Sequence, residues 1–153
     1  MIMEQAPDHI LLIYIAASPE KIWALLTDVP NSPSWFFGQR MEVGDAIGDP
    51  FAVVAPDGIP QVKGKILAID PPRRLMVSWD VLVEGIEPVE IEFLIEDVGN
   101  GISKLTVHEY HHATVPEAYI KAGREGWSLI LSGIKTILET GKPLPPVKME
   151  RPQ

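Results

Sequence analysis

The residue types best suited to chemistry gather in one stretch, His108-Glu109-Tyr110-His111-His112. Imidazoles beside a carboxylate can pass protons, hold a polar ligand group or bind a metal. What they do here depends on the backbone beneath them. Residues 102–112 predict a β-strand, on which successive side chains point to opposite faces. Leu105 and Val107 mark its inner face, and by parity Glu109 and His111 continue that face. A Glu–His pair at the edge of an apolar cleft suits general-base work or the binding of a polar ligand group. If the strand ends there instead, both are merely hydrated. His108 and His112 share the other face and lie ~13 Å apart on a strand. No third ligand follows from spacing, so neither a metal site nor a cofactor is expected, and no catalytic residue is assigned. The chain has no cysteine, which removes disulfides, thiolate metal sites and thiol nucleophiles.

Aromatic side chains form the second group. Trp35, Phe36, Phe37, Trp79, Phe93 and Trp127 are placed to line a pocket for an apolar or aromatic ligand, or simply to fill a core. Trp35-Phe36-Phe37, beside Pro30 and Pro33, is expected as a short helix near the pocket mouth. Tyr119 is the hydroxyl expected to reach a ligand, because Tyr110 falls on the outer strand face. Glu90, Glu92 and Glu96 alternate with Ile91, Phe93 and Ile95 and are expected as a solvated outer row.

These groups need a scaffold. Residues 9–15 form a short apolar run and predict a strand. Ser18-Pro19-Glu20 reads as a helix start, with Ile22, Leu25, Leu26 and Val29 at helical spacing. Strands are expected over 41–43, 51–55, 61–69, 75–81, 89–96 and 102–112, broken by Pro56-Asp57-Gly58, Asp70-Pro71-Pro72 and Gly99-Asn100-Gly101. Thr114-Val115-Pro116-Glu117 has the form of a capping box for a long amphipathic helix reaching Thr140. Gly141 and Pro143 end it. Inner positions are expected at Trp79, Ile91, Phe93, Leu105, Val107, Trp127, Ile130 and Ile134. Strands segregated from helices argue for α+β, a curved antiparallel sheet wrapped around the long C-terminal helix. The domain is expected over 1–142, with an extended proline-rich tail over 143–153.

The composition sets outer limits. The chain has 153 residues, 46% of them hydrophobic, and a formal charge of −8. Length and hydrophobicity fit one folded domain. The acidic balance disfavours nucleic acid and anionic membrane surfaces as partners. No apolar run approaches the ~20 residues that span a bilayer, and the first residues carry acids without a basic group, unlike a signal peptide. A cytoplasmic protein is expected.

Several motifs carry a resemblance. Ala17-Ser18-Pro19-Glu20-Lys21-Ile22-Trp23 resembles the A-x-P-E-x-V-W opening of the START-like (SRPBCC) superfamily. The run from Gly64 through Asp70-Pro71-Pro72-Arg73-Arg74-Leu75 is similar to its G-x-V-x-x-I-D-P-P-x-R-L hairpin. Val77-Ser78-Trp79 is similar to the strand that follows, and Gly126-Trp127 with Leu131 and Ile134 resembles the face of its last helix. The order resembles the family of the activator of heat-shock-protein-90 ATPase homologue, from about residue 10 to 142. Gly48-Asp49-Pro50-Phe51 departs from the usual G-G-x-F. The resemblance implies a helix-grip fold. It is shared by lipid carriers, receptors, cyclases and co-chaperone domains, so it does not assign an activity. Three readings follow. The first is a binding protein for a small hydrophobic or aromatic ligand. The second is an interaction module with a protein partner such as a chaperone. The third is a cyclase- or dehydratase-like enzyme using Glu109 and His111, for which the chain supplies no nucleophile, metal set or phosphate loop.

Overall fold

A computed structural model of the chain describes residues 5–147. Seven antiparallel strands form one open sheet in the order β1-β7-β6-β5-β4-β3-β2. The chain starts on one edge with β1 (His9–Ile15) and crosses to the other through α1 (Pro19–Thr27) and a 3-10 segment (Val29–Ser34). It then returns as a meander through β2 (Arg40–Val43), β3 (Pro50–Val54), β4 (Pro60–Asp70), β5 (Arg74–Trp79), β6 (Val89–Gly99) and β7 (Ile102–Tyr110). The last strand pairs with the first, and α2 (Glu117–Thr140) packs on the inner face. At 1.5 Å per residue, its 24 residues make a rod of about 36 Å. This is the expected helix-grip architecture.

Register explains how the inner face is built. Leu75, Phe93, Val107 and Leu11 face one another across four strands. The first three are at most 1% exposed. One step along, Val77, Ile91, Glu109 and His9 form the next row. The apolar face thus ends in a polar pair, as the parity of β7 predicts. Trp127 from α2 closes on this face, its ring 5.6 Å from Phe93 and 5.3 Å from Trp79.

Local chemistry accounts for the joints. Ser18 caps α1 by accepting from the Lys21 N–H, with proline at the first position. Ser32 is fully buried; its hydroxyl donates to the Val29 carbonyl and accepts from the Met41 N–H, tying the 3-10 segment to β2. At Gly64 a Cβ would lie 1.8 Å from the Ser78 carbonyl oxygen. Only glycine permits this approach of β4 to β5, which gives the hairpin motif's glycine its physical reason. At the departure from the usual pattern, the Asp49 carboxylate accepts from the N–H groups of Asp45 and Ala46 and closes the turn itself.

Four expectations change. The helix begins at Glu117, with Pro116 before it and no side-chain cap, so Thr114 does not cap. A residue preceding proline is pushed out of helical φ/ψ, which bars Val115 from the first turn. Trp35-Phe36-Phe37 is a turn after the 3-10 segment, not a helix: Phe37 and Gly38 both have positive φ, 55° and 74°. Strand β7 stops at Tyr110, so His111 and His112 follow it. Glu92 is not solvated but 6% exposed. Residues 143–147 of the expected tail have neither helix nor strand, and 148–153 lie outside the described residues.

Candidate functional site

Between sheet and α2 the chain leaves a cavity of about 640 Å³, within the roughly 300–1,000 Å³ typical of small-molecule pockets. Three layers supply its wall. The sheet contributes Val53, Val62 and Trp79. The β5–β6 loop contributes Val81, Val83 and Ile86, and the aromatic turn Phe36 and Phe37. Helix α2 contributes Tyr119 and Trp127, and between them Ala122, Gly123 and Gly126. This small-residue stretch is why the space exists. A Cβ built on Gly123 meets nothing within 4 Å. A helix position that has room for a side chain, yet carries none, leaves its volume to the cavity.

The sequence-predicted residues divide. Phe36, Phe37, Trp79, Glu109, Tyr119 and Trp127 come together on the wall. Trp79 is only half-buried where full burial was expected, because one side of its ring borders the cavity. Phe93 stands behind the wall, 1% exposed and edge-on to Trp127. Trp35 turns the other way, against Gly133, where a Cβ would sit 3.0 Å from its carbonyl oxygen. It borders a smaller hollow of about 150 Å³ under residues 144–147, and its buried indole Nε1 has no partner among the described residues. His111 does not line the large cavity. It stands beside Glu109, its Nε2 against the Glu109 Oε2.

Sequence reasoning missed His9. Cross-strand pairing places it opposite Glu109, and its ring lies 5.1 Å from that of His111, edge-on. Ligand atoms of His9, Glu109 and His111 all fall within 4.8 Å of one another, so β1 supplies the third group that spacing did not. Two imidazoles and a carboxylate are metal-ligand types. However, the Arg124 Nη2 lies 2.9 Å from His9 Nδ1. Arginine only donates, so Nδ1 holds a lone pair and the ring proton sits on Nε2. His9 Nε2 is buried and has no partner among the described residues. Of the three, Glu109 lines the chamber; it is hydrogen-bonded to His111, and the His9 ring packs edge-on against that of His111. Asp8 and Gln5 hold His111 in place: the His111 N–H donates to the Asp8 carboxylate at 2.7 Å, and the Gln5 amide donates to the His111 carbonyl at 2.9 Å.

The opposite sheet face carries a second polar cluster. Glu92 Oε1 accepts from Tyr110 at 2.9 Å and lies 3.0 Å from His108 Nδ1, while Oε2 accepts from Arg74 Nε at 2.6 Å. Burial alone would push the Glu92 carboxyl up. The hydrogen bonds from His108, Arg74 and Tyr110, with the Arg74 charge, outweigh it and hold the group below its ordinary value of 4.5. His112 approaches Glu90 at 3.2 Å on the exposed side.

An open antiparallel sheet closed on a long C-terminal helix, with a chamber between them, defines a helix-grip domain of the START-like class. The sequence profile described as "Activator of Hsp90 ATPase homolog 1-like protein" matches residues 16–139, and the chain belongs to that family. Among solved structures it is similar to PFC0360w, an HSP90 activator from Plasmodium falciparum, at 16% identity and TM-score 0.73, covering 88% of this chain and 97% of that one. It is also similar to the Aha1 dimer of Colwellia psychrerythraea, at 22% and 0.72, covering 87% and 96%. The similarity to DynU16, from the dynemicin biosynthetic locus, is 20% and 0.72, covering 88% of this chain and 48% of that one. At these identities the likeness is one of fold. A search of curated proteins finds no significant match. Among the described residues no helix is long and apolar enough to cross a membrane.

Proposed function

We propose that this protein binds a small, largely apolar or aromatic molecule between the sheet and α2. The observation that carries this reading is the cavity of about 640 Å³ beside Gly123. A cleft of this size walled mainly by apolar and aromatic side chains, with a few polar groups, is the usual form of a small-molecule site. Trp79, Trp127, Phe36, Phe37 and Tyr119 offer ring faces, and Glu109 offers one polar anchor. Titration with the neutral fluorophore N-phenyl-1-naphthylamine tests it. Saturable enhancement in the parent, lost in Gly123→Trp with the fold retained by circular dichroism, is the expected result. A parent that gives no enhancement overturns the reading.

A protein-docking role has its own support. The matched family is described as an ATPase activator homologue, and the outer face of edge strand β1 exposes Ile10, Leu12 and Tyr14. Native mass spectrometry of the purified protein separates the two: a small-molecule adduct favours the first, a co-purifying chaperone the second.

A further inference from the structure

We infer that the chamber selects a cationic amphiphile, an amine or ammonium group on an apolar body, over neutral or anionic molecules of the same shape. The inference deepens the binding reading above and rests on it. Its observation is the charge content of the wall. Among the described residues the wall has two carboxylates, Glu87 and Glu109, and no lysine or arginine. A pocket for a fatty acid or other organic anion needs a cation, or converging N–H donors, to replace the water the anion loses. This wall would repel such a ligand.

The aromatic residues point the same way. The faces of indole and phenol rings carry negative quadrupole density and attract ammonium groups within about 6 Å. The rings of Trp79 and Trp127 stand 5.3 Å apart at 48°, and Tyr119 lies two helical turns before Trp127 on the same wall. Glu109 is the anchor. His111 occupies its Oε2, while Oε1 has no hydrogen bond among the described residues. The basic residue beside this end, Arg124, adjoins Gly123 in sequence but is turned onto His9 Nδ1 and does not line the chamber. It therefore leaves the Glu109 Oε1 open to a ligand. The formal charge of −8 adds a long-range pull on cations.

Competition at fixed chain length tests the inference. Decyltrimethylammonium, decanol and decanoate would each displace N-phenyl-1-naphthylamine at pH 8, where imidazoles are ordinarily neutral. The ammonium should displace the probe at about tenfold lower concentration than decanol, with decanoate weakest. Glu109→Gln, or Glu109→Gln with Glu87→Gln, should bring the ammonium to the level of decanol in the same variant. Glu96→Gln, on the convex face beside Lys104, controls for general surface charge and should change nothing. Decanoate as tight as the ammonium, or a preference that survives the double substitution, overturns the inference while leaving the chamber intact. If the neutral probe itself does not bind, the binding reading falls and takes this inference with it.

Discussion

The two faces of β6 and β7 carry polar clusters built from almost the same residue types, with opposite outcomes. On the convex face, Glu92 meets His108, Tyr110 and Arg74, and both carboxylate oxygens are engaged. On the concave face, Glu109 meets His111 through one oxygen, with His9 alongside and its buried Nε2 without a partner among the described residues. His108 and Glu109 are sequence neighbours, yet they serve different clusters because a strand alternates its side chains. A buried network with its main acceptor fully engaged rigidifies the sheet. One whose carboxylate keeps an oxygen free of donors among the described residues, on the wall of the chamber, has capacity for something else. Polar composition therefore does not separate the two clusters; the extent of their hydrogen bonding does.

The largest expected effect tests the structural side. Glu92→Gln should destabilise the fold by about 3 kcal/mol in urea unfolding, since it removes a buried charge that accepts three bonds. The figure is held there because Arg74 is partly exposed and its attraction is screened. Glu109→Gln should cost less than about 1 kcal/mol. Equal costs would erase the distinction between the faces. Next comes acid stability. The folded-state pKa of Glu92 lies below 4.5, so its contribution is complete above that value and disappears as pH falls through the folded pKa. Unfolding free energy below pH 4.5 should fall less steeply in Glu92→Gln than in the parent. A parallel acid limb would mean that other carboxylates dominate. Glu139 is also depressed, by the Lys135 hydrogen bond and then by the Ala16 N–H, but it is too exposed to add much. The smallest effect belongs to Gly123→Leu. It should leave stability unchanged or raise it by up to about 1 kcal/mol, since leucine is the better helix former and has space available. A marked loss would mean that the chamber is closed in solution.

Alternation made the sheet faces readable. Ile91, Phe93, Leu105 and Val107 are each at most 1% exposed, and Glu109 follows them onto the inner row. The long helix was equally plain from its period. His9 was not, because its partnership with Glu109 depends on a register between strands a hundred residues apart. The Glu92 network was hidden because its partners come from the two neighbouring strands, β5 and β7, and a charged residue in an alternating strand reads as solvated by default. The chamber itself was only half legible. Its aromatic walls could be listed from the sequence, but its existence depends on Ala122, Gly123 and Gly126, and small residues in a helix give no sign of the space they leave.

The central claim, a chamber between sheet and α2 that takes up an apolar molecule, is tested most directly by ¹H–¹⁵N spectra recorded while N-phenyl-1-naphthylamine is added. The indole N–H signals of Trp79 and Trp127 and the amides of Gly123 and Glu109 should shift together and saturate. The Trp23 indole on α1 and the Thr106 amide should remain in place. Shifts spread over the convex face, or confined to the backbone amides of Ile10, Leu12 and Tyr14 on β1, would contradict the account.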